Sequence, residues 1–315
     1  MGRDGASNAD GHRTEVKQLN YFITAALLKG ASSSALTRRT YHALTRLKRG
    51  ARNAFPEIGC WLLRDLRAGR QRILDLGTGW AHAYSLYLAL LRDDDIHCFD
   101  VEDNRNWESF RATLRVVQSE ITERGMLTDE QDQLRCARKC ADALEAKDFA
   151  EAYKVLGITY QCTGSVHPVY PADHFDFIFS IDVLEHVDAA AFPAAAAGWF
   201  RMLKPGGLFV SQVGLDDHLA FYQGKLGSKR YLRYSHHTWE WLLGNDVQYI
   251  NRLTASEIVT LLRNTGFLVS EIETDDSGDT APGQVHPDYR NQSEADIRAV
   301  RLMVRAHKPQ STGSP

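Results

Sequence analysis

The chain has 315 residues, of which 43% are hydrophobic and 24% charged, and its formal net charge is −3. That length can bury a full core as one large or two small domains, and the composition is globular rather than disordered or fibrous. The near-neutral charge excludes general polyanion-binding character, and no apolar run approaches the roughly 20 residues needed to cross a bilayer.

Residues 1–14 open with a polar stretch that lacks a signal-peptide core, and they are expected to form a disordered tail. Residues 15–70 read as a helical N-terminal cap. Within it, residues 16–56 contain no acid but carry Lys17, Lys29, Arg38, Arg39, Arg46, Lys48, Arg49 and Arg52. This basic face is either simply solvated or a surface for a phosphate-bearing substrate or an anionic membrane. Phe55 to Leu66 is expected to be a further helix, set off by Pro56 and Gly59. The five cysteines include no Cys-x-x-Cys, and Cys136 and Cys140, four apart, read as packing thiols on one helical face. Reduced thiols without a signal point to the cytoplasm.

Arg72–Leu76 is a short apolar strand that runs into Gly77-Thr78-Gly79-Trp80 and then a helix-like segment to Leu91. Glycine at 77 and 79 permits a sharp turn and the close approach of a ligand. Amides at the start of the following helix are then expected to face a polar or anionic group. A second strand, Ile96–Asp100, ends in a carboxylate 21 residues beyond Gly79, where it can accept hydrogen bonds from ribose hydroxyls. On a solvated strand end, that carboxylate is expected to support few core contacts. A dinucleotide fingerprint would need a third glycine at position 82, which is His82, so a nicotinamide cofactor is disfavoured.

Residues 103–157 form a helical elaboration too long for one crossover, and Ile158–Cys162 is the third strand. His174–Val187 reads as a buried strand flowing into a short helix, Leu184-Glu185-His186-Val187. Leu203-Lys204-Pro205-Gly206-Gly207 turns the chain into a fifth strand. Residues 214–253 interleave rings, bases and histidines. Thr254 with Glu257 makes a capping-box pattern for a helix stopped by Gly266. Phe267–Glu273 and Ile297–Ala306 are the last strands, and 308–315 is a frayed tail.

Three of these stretches resemble motifs of class I S-adenosylmethionine-dependent methyltransferases: Asp75-x-Gly77-x-Gly79 with Asp100, Phe175-Asp176-x-Ile178 followed by Leu-Glu-His-Val, and Leu-Lys-Pro-Gly-Gly. The resemblance implies an α/β, Rossmann-like, seven-stranded and mostly parallel sheet with helices on both faces over residues 71–307. The last strand would be antiparallel, and 214–253 would be a lid insertion after strand 5. It implies S-adenosyl-L-methionine as cofactor, with Asp75, Gly77 and Gly79 at the turn, Asp100 on the ribose and Val101 on the adenine. Ser180 and Asp182 would stand near the sulfonium, and Trp80 is either a pocket wall or a buried ring. The family's acid after strand 3 is missing, which leaves Thr163 or a backbone carbonyl for the adenine amino group.

His186 is the candidate general base, with His218 as a second; His186 could equally be no more than a helix cap. The expected partner is a small-molecule acceptor, phosphate-bearing or saccharide, methylated on oxygen. Nucleic acid is not expected, since no appended RNA-binding module is visible. An RNA or protein methyltransferase and a non-catalytic binding protein are the competing readings.

Overall fold

The computed structural model describes residues 21–34, 36–37, 40–41, 59–165, 168–219, 228–276 and 285–310. The expected N-terminal tail, residues 311–315 and, of the basic segment 16–56, residues 16–20, 35, 38–39 and 42–56 lie outside the described residues, as do Phe221, Tyr222 and Lys225.

Seven strands form one sheet: β1 (Arg72–Leu76), β2 (Asp95–Asp100), β3 (Ile158–Cys162), β4 (Phe175–Ile181), β5 (Leu203–Gly214), β6 (Leu268–Asp275) and β7 (Arg301–His307). Their spatial order is β3-β2-β1-β4-β5-β7-β6. All pairings are parallel except those of β7, which runs antiparallel to both β5 and β6. The central strands are buried on both faces, which is why they read as near-continuous apolar runs rather than alternating ones. Sequence direction reverses between β1 and β4, so the crevice beyond their carboxyl ends is the topological switch point where such sheets bind ligands.

One face is covered by α2 (Gly59–Arg64), α3 (Ala83–Leu91), α4 (Trp107–Glu123), α5 (Glu130–Glu145) and α6 (Phe149–Leu156) around a first core. The long crossover is therefore three helices. Each starts at a side-chain cap, on Asn106, Asp129 and Asp148. Cys136 and Cys140 are both buried in this core. The other face is covered by α7 (Phe192–Met202) and α8 (Ala255–Thr265). A third cluster joins helix α1 (residues 21–32) to the stretch after β5: Tyr21, Ala25 and Leu28 pack with Tyr231, Trp239 and Ile250. Tyr21 donates to Asp217 at 2.6 Å, and the Arg230 guanidinium lies over the Tyr21 ring. Among the described residues, no helix is long and apolar enough to cross a membrane.

Three expectations need correction. The helix expected over Phe55–Leu66 is described from Gly59 and ends at Arg64, short of Leu66. The last strand begins at Arg301 rather than Ile297, because Ser293 caps a short helix, α9 (Glu294–Arg298), ahead of it. Residues 308–310 are not frayed: Lys308 donates to Asp173 at 2.7 Å and to the Leu203 carbonyl at 2.8 Å, and the Gln310 side chain lies against Gly206.

The capping box on α8 is present in full. Glu257 N donates to Thr254 Oγ1 at 3.3 Å, and Thr254 N to Glu257 Oε2 at 2.8 Å. Thr254→Ala should lower the unfolding free energy by about 1 kcal/mol in urea titration while leaving cofactor affinity unchanged.

Candidate active site

Gly77 sits at φ 80°, and the position its Cβ would occupy is already filled by the Val183 side chain. The turn after β1 is thus locked against the segment after β4, and both line the switch-point crevice. Gly79, at φ 68°, has nothing within 4 Å of the position a Cβ would take. One glycine is needed for packing against protein and the other faces open space, the shape of a cradle for a close-lying ligand.

Beneath the turn lies a relay of hydrogen bonds. Asp75 is 4% exposed and accepts from Thr78 Oγ1 at 2.8 Å and Ser85 Oγ at 2.6 Å. Thr78 Oγ1 meets His82 Nδ1 at 3.2 Å, and His82 Nε2 meets the Tyr153 hydroxyl at 2.6 Å. Since the threonine proton goes to Asp75, a consistent polarity has His82 donating through Nδ1 and accepting from Tyr153. Burial, then the Arg105 charge, holds the His82 pKa down to about 4, so the ring is neutral. Burial likewise pushes Asp75 up to about 7, against the pull of Ser85 and Thr78. Position 82, where a dinucleotide site would have glycine, is a left-handed residue boxed in by Phe110, Phe149, Tyr153 and Tyr160. Asp75 contributes to the crevice through the shape of the turn.

Asp100 departs from expectation. Its Oδ2 accepts from Gly79 N at 3.0 Å and its Oδ1 from Val101 N at 2.8 Å, so the strand-end carboxylate also ties β2 to the turn. Burial raises its pKa, and these backbone donors oppose the rise. The turn amides are likewise already engaged: Gly77 N and Thr78 N both donate to the Phe99 carbonyl, at 2.8 and 3.0 Å. An approaching anion or carboxylate would therefore meet the first amides of α3, whose N-cap makes no side-chain bond. Trp80 is half-buried, and its carbonyl receives the Asn106 amide. Thr163 is exposed and donates to the Ser165 carbonyl, while Gly164 N reaches back to the Val101 carbonyl at 3.0 Å.

Across the crevice, Ser180 is fully buried near the end of β4, and its hydroxyl has no partner among the described residues. Asp182 adopts φ 52° and accepts from Gln212 at 3.1 Å. Leu184–His186 is a single 3₁₀ turn. His186 Nδ1 lies 2.6 Å from the Tyr249 carbonyl and so carries the proton, leaving Nε2 with a lone pair. The ring keeps an edge in solvent, yet the protein around it lowers its pKa, against the Tyr249 carbonyl and Asp182. The structure brings His218 against it, with ring centroids 5.1 Å apart. Burial, with the His186 charge second, pushes His218 down to about 4.

Sequence reasoning missed Glu185 and Asn251. Glu185 is 3% exposed, accepts from Gly214 N at 3.3 Å, and has its pKa raised well above the usual value by burial and by Asp182. The signal was an acid adjacent to the candidate base. Asn251 fastens the 3₁₀ turn: its Nδ2 donates to the Leu184 and Val187 carbonyls at 2.8 and 2.9 Å, and its amide to the Glu185 carbonyl at 2.8 Å. No sequence spacing announces that latch, which spans more than sixty residues.

A glycine turn and an acidic strand end at the switch point of an open α/β sheet define a nucleoside-cofactor enzyme of the Rossmann-like class. A family model described as a methyltransferase domain matches residues 42–272, more than half the chain, and the chain belongs to that family. The family is that of the class I S-adenosylmethionine-dependent methyltransferases. A ubiquinone biosynthesis O-methyltransferase of Rhodopseudomonas palustris (strain BisB18) is 32% identical over 127 residues, 40% of this chain and 45% of that relative, so less than half of its length is matched. Among solved structures, phosphoethanolamine N-methyltransferase 2 of Haemonchus contortus is 18% identical, with 79% of this chain and 51% of that one covered at a TM-score of 0.46. An S-adenosylmethionine-dependent methyltransferase of Methanosarcina mazei is 16% identical, with 82% and 100% covered at the same TM-score of 0.46. Likenesses this distant say nothing of the acceptor.

The two glycines should fail differently. Gly77→Ala should destabilise the fold by several kcal/mol and abolish cofactor binding; adding Val183→Ala should recover part of the stability but not the roughly 1–2 kcal/mol of left-handed strain. Gly79→Ala should cost about that strain alone, stay folded, and still lose S-adenosylmethionine binding in calorimetry, because its methyl enters the open cradle.

Proposed function

We propose that the crevice transfers a methyl group to a hydroxyl oxygen of a small-molecule acceptor. The observation that carries this reading is the His186 ring, fixed by the Tyr249 carbonyl with Nε2 free of a backbone proton, on the turn that packs against Gly77. S-adenosylmethionine, when bound, supplies a methyl on a positively charged sulfur that keeps the bonding electron pair as the methyl departs. Asp100 holds the ribose through the lone pairs its two backbone donors leave open, Val101 borders the adenine, and Thr163 Oγ1 accepts from the adenine amino group. Gly79 leaves room for the methionyl end, and Ser180 and Asp182 stand toward the sulfonium. His186 Nε2 takes the proton from the acceptor hydroxyl as its oxygen bonds to the methyl carbon. Because its pKa is lowered, the ring is unprotonated, and competent as a base, at neutral pH.

The acceptor enters through the segment after β5, which we read as a lid. A cavity of about 700 Å³ lies between the 21–32 helix, residues 188–190 and residues 239–252. Lys29, Arg252, the Trp239 ring and Asp188 line it, a mixture of cations, an aromatic face and an acid that suits a phosphate-bearing or saccharide acceptor. The reduced cysteines fit a cytoplasmic setting.

Asp100→Ala should weaken S-adenosylmethionine and S-adenosylhomocysteine equally, by about tenfold to a thousandfold in calorimetry, because both share the ribose. It should also cost roughly 1–2 kcal/mol of stability, since Gly79 N and Val101 N lose their acceptor. Unequal losses would remove Asp100 from the ribose.

His186→Ala should lower kcat by roughly 10²–10⁴ with cofactor affinity little changed. In the parent, kcat should fall on the acid side with an apparent pKa below the ordinary imidazole value of about 6.5, since only unprotonated His186 accepts the proton. A variant within threefold of the parent would leave His186 as a structural element of the turn.

A further inference from the structure

Beside the proposed base lies a group of side chains that methyl transfer by His186 alone does not use. Glu185 Oε1 accepts from Gly214 N, but its Oε2 is buried and has no partner among the described residues. Gly214 is the last residue of β5, and a Cβ there would come within 3.0 Å of Glu185 Oε1. The glycine thus lets the strand end close on the carboxylate. A ring nitrogen of His186, a ring nitrogen of His218 and a carboxylate oxygen of Glu185 all lie within 4.8 Å of one another. The charged groups that act on Glu185 are Asp182 and Asp216, of its own sign. A buried carboxylate beside two imidazoles, acted on by two further acids, lacks a positive partner among the described residues.

We propose that Glu185, His186 and His218 bind one divalent transition-metal ion. Two imidazole nitrogens and one carboxylate suit zinc, manganese, cobalt or ferrous iron, whereas magnesium and calcium favour all-oxygen sets. Donors about 2.1 Å from such an ion stand roughly 3.4 Å apart in a tetrahedral set, so modest side-chain rotation closes the triad around it. The Tyr249 carbonyl that receives His186 Nδ1–H is the outer-shell partner ligating histidines typically have; it fixes the ring and leaves Nε2 as the nitrogen able to ligate. Three protein donors leave coordination positions open. The exposed edge of His186 gives the ion access from solvent.

The use of those positions rests on the O-methylation reading above. An acceptor hydroxyl bound there would be acidified by the ion and would release its proton to water at the open rim. Its oxygen would then form the new bond to carbon while the sulfur retains the electron pair. With metal bound, His186 acts on the acceptor through the ion instead of taking its proton.

Full-length protein, stripped with chelator and dialysed, should bind one equivalent of cobalt(II) and develop visible d–d bands of four- or five-coordinate metal. Zinc should displace the cobalt, and millimolar magnesium should not. Glu185→Gln, which keeps the buried shape, and His218→Ala should each weaken cobalt binding at least tenfold. Absence of stoichiometric binding, displacement by magnesium, or affinity unaltered in both variants would overturn the site. S-adenosylmethionine calorimetry on the stripped protein tests the cofactor reading separately: if that binding persists while cobalt fails to bind, the ion site alone is wrong.

Discussion

The missing side chain at Gly77 is the constraint on which the crevice depends. Its left-handed backbone turns β1 sharply toward α3, and the vacated Cβ position receives Val183. The turn after β1 and the 3₁₀ turn after β4 therefore cannot move independently. A side chain at Gly77 would have to push Val183 aside, since a Cβ there would lie well inside contact distance of Val183 Cγ2. Asn251 completes the clamp from the opposite side by holding the carbonyls of the same 3₁₀ turn.

The turn is held from below by buried polar groups, among which burial keeps His82 neutral. His82, boxed among aromatic rings, passes a hydrogen bond from Tyr153 to Thr78 and so to Asp75. A charged imidazole there would lose its acceptor role toward Tyr153 and sit unsolvated among rings, hence its depressed pKa. Such networks specify one geometry when every member is satisfied. Here the satisfied member at the far end is the carboxylate of the first motif.

Above the crevice, the N-terminal helix and the segment after β5 share a single small core. Tyr21 and Asp217 lie 196 positions apart and are joined by a buried hydrogen bond, with Arg230 stacked on the same ring. Both segments also line the 700 Å³ cavity. Two regions that look unrelated along the chain form one wall.

The amino-acid sequence by itself determined the fold class, because its signals are local. Apolar runs buried on both faces, glycines at a positive-φ turn, an acid ending β2 and a capping box before α8 all act within a few residues of where they are written. Asp100 came from its spacing beyond Gly79, and His186 from the resemblance of its stretch to Leu-Glu-His-Val. What tertiary structure decided was which groups face one another. Asp100 holds the Gly79 amide, Glu185 is buried with one oxygen unmatched among the described residues, and His218 comes to rest on His186 from thirty-two positions away. Those facts follow from how strands β1, β4 and β5 align their ends. Which strand ends meet is decided by the order of strands in the sheet, which brings together residues far apart in the chain.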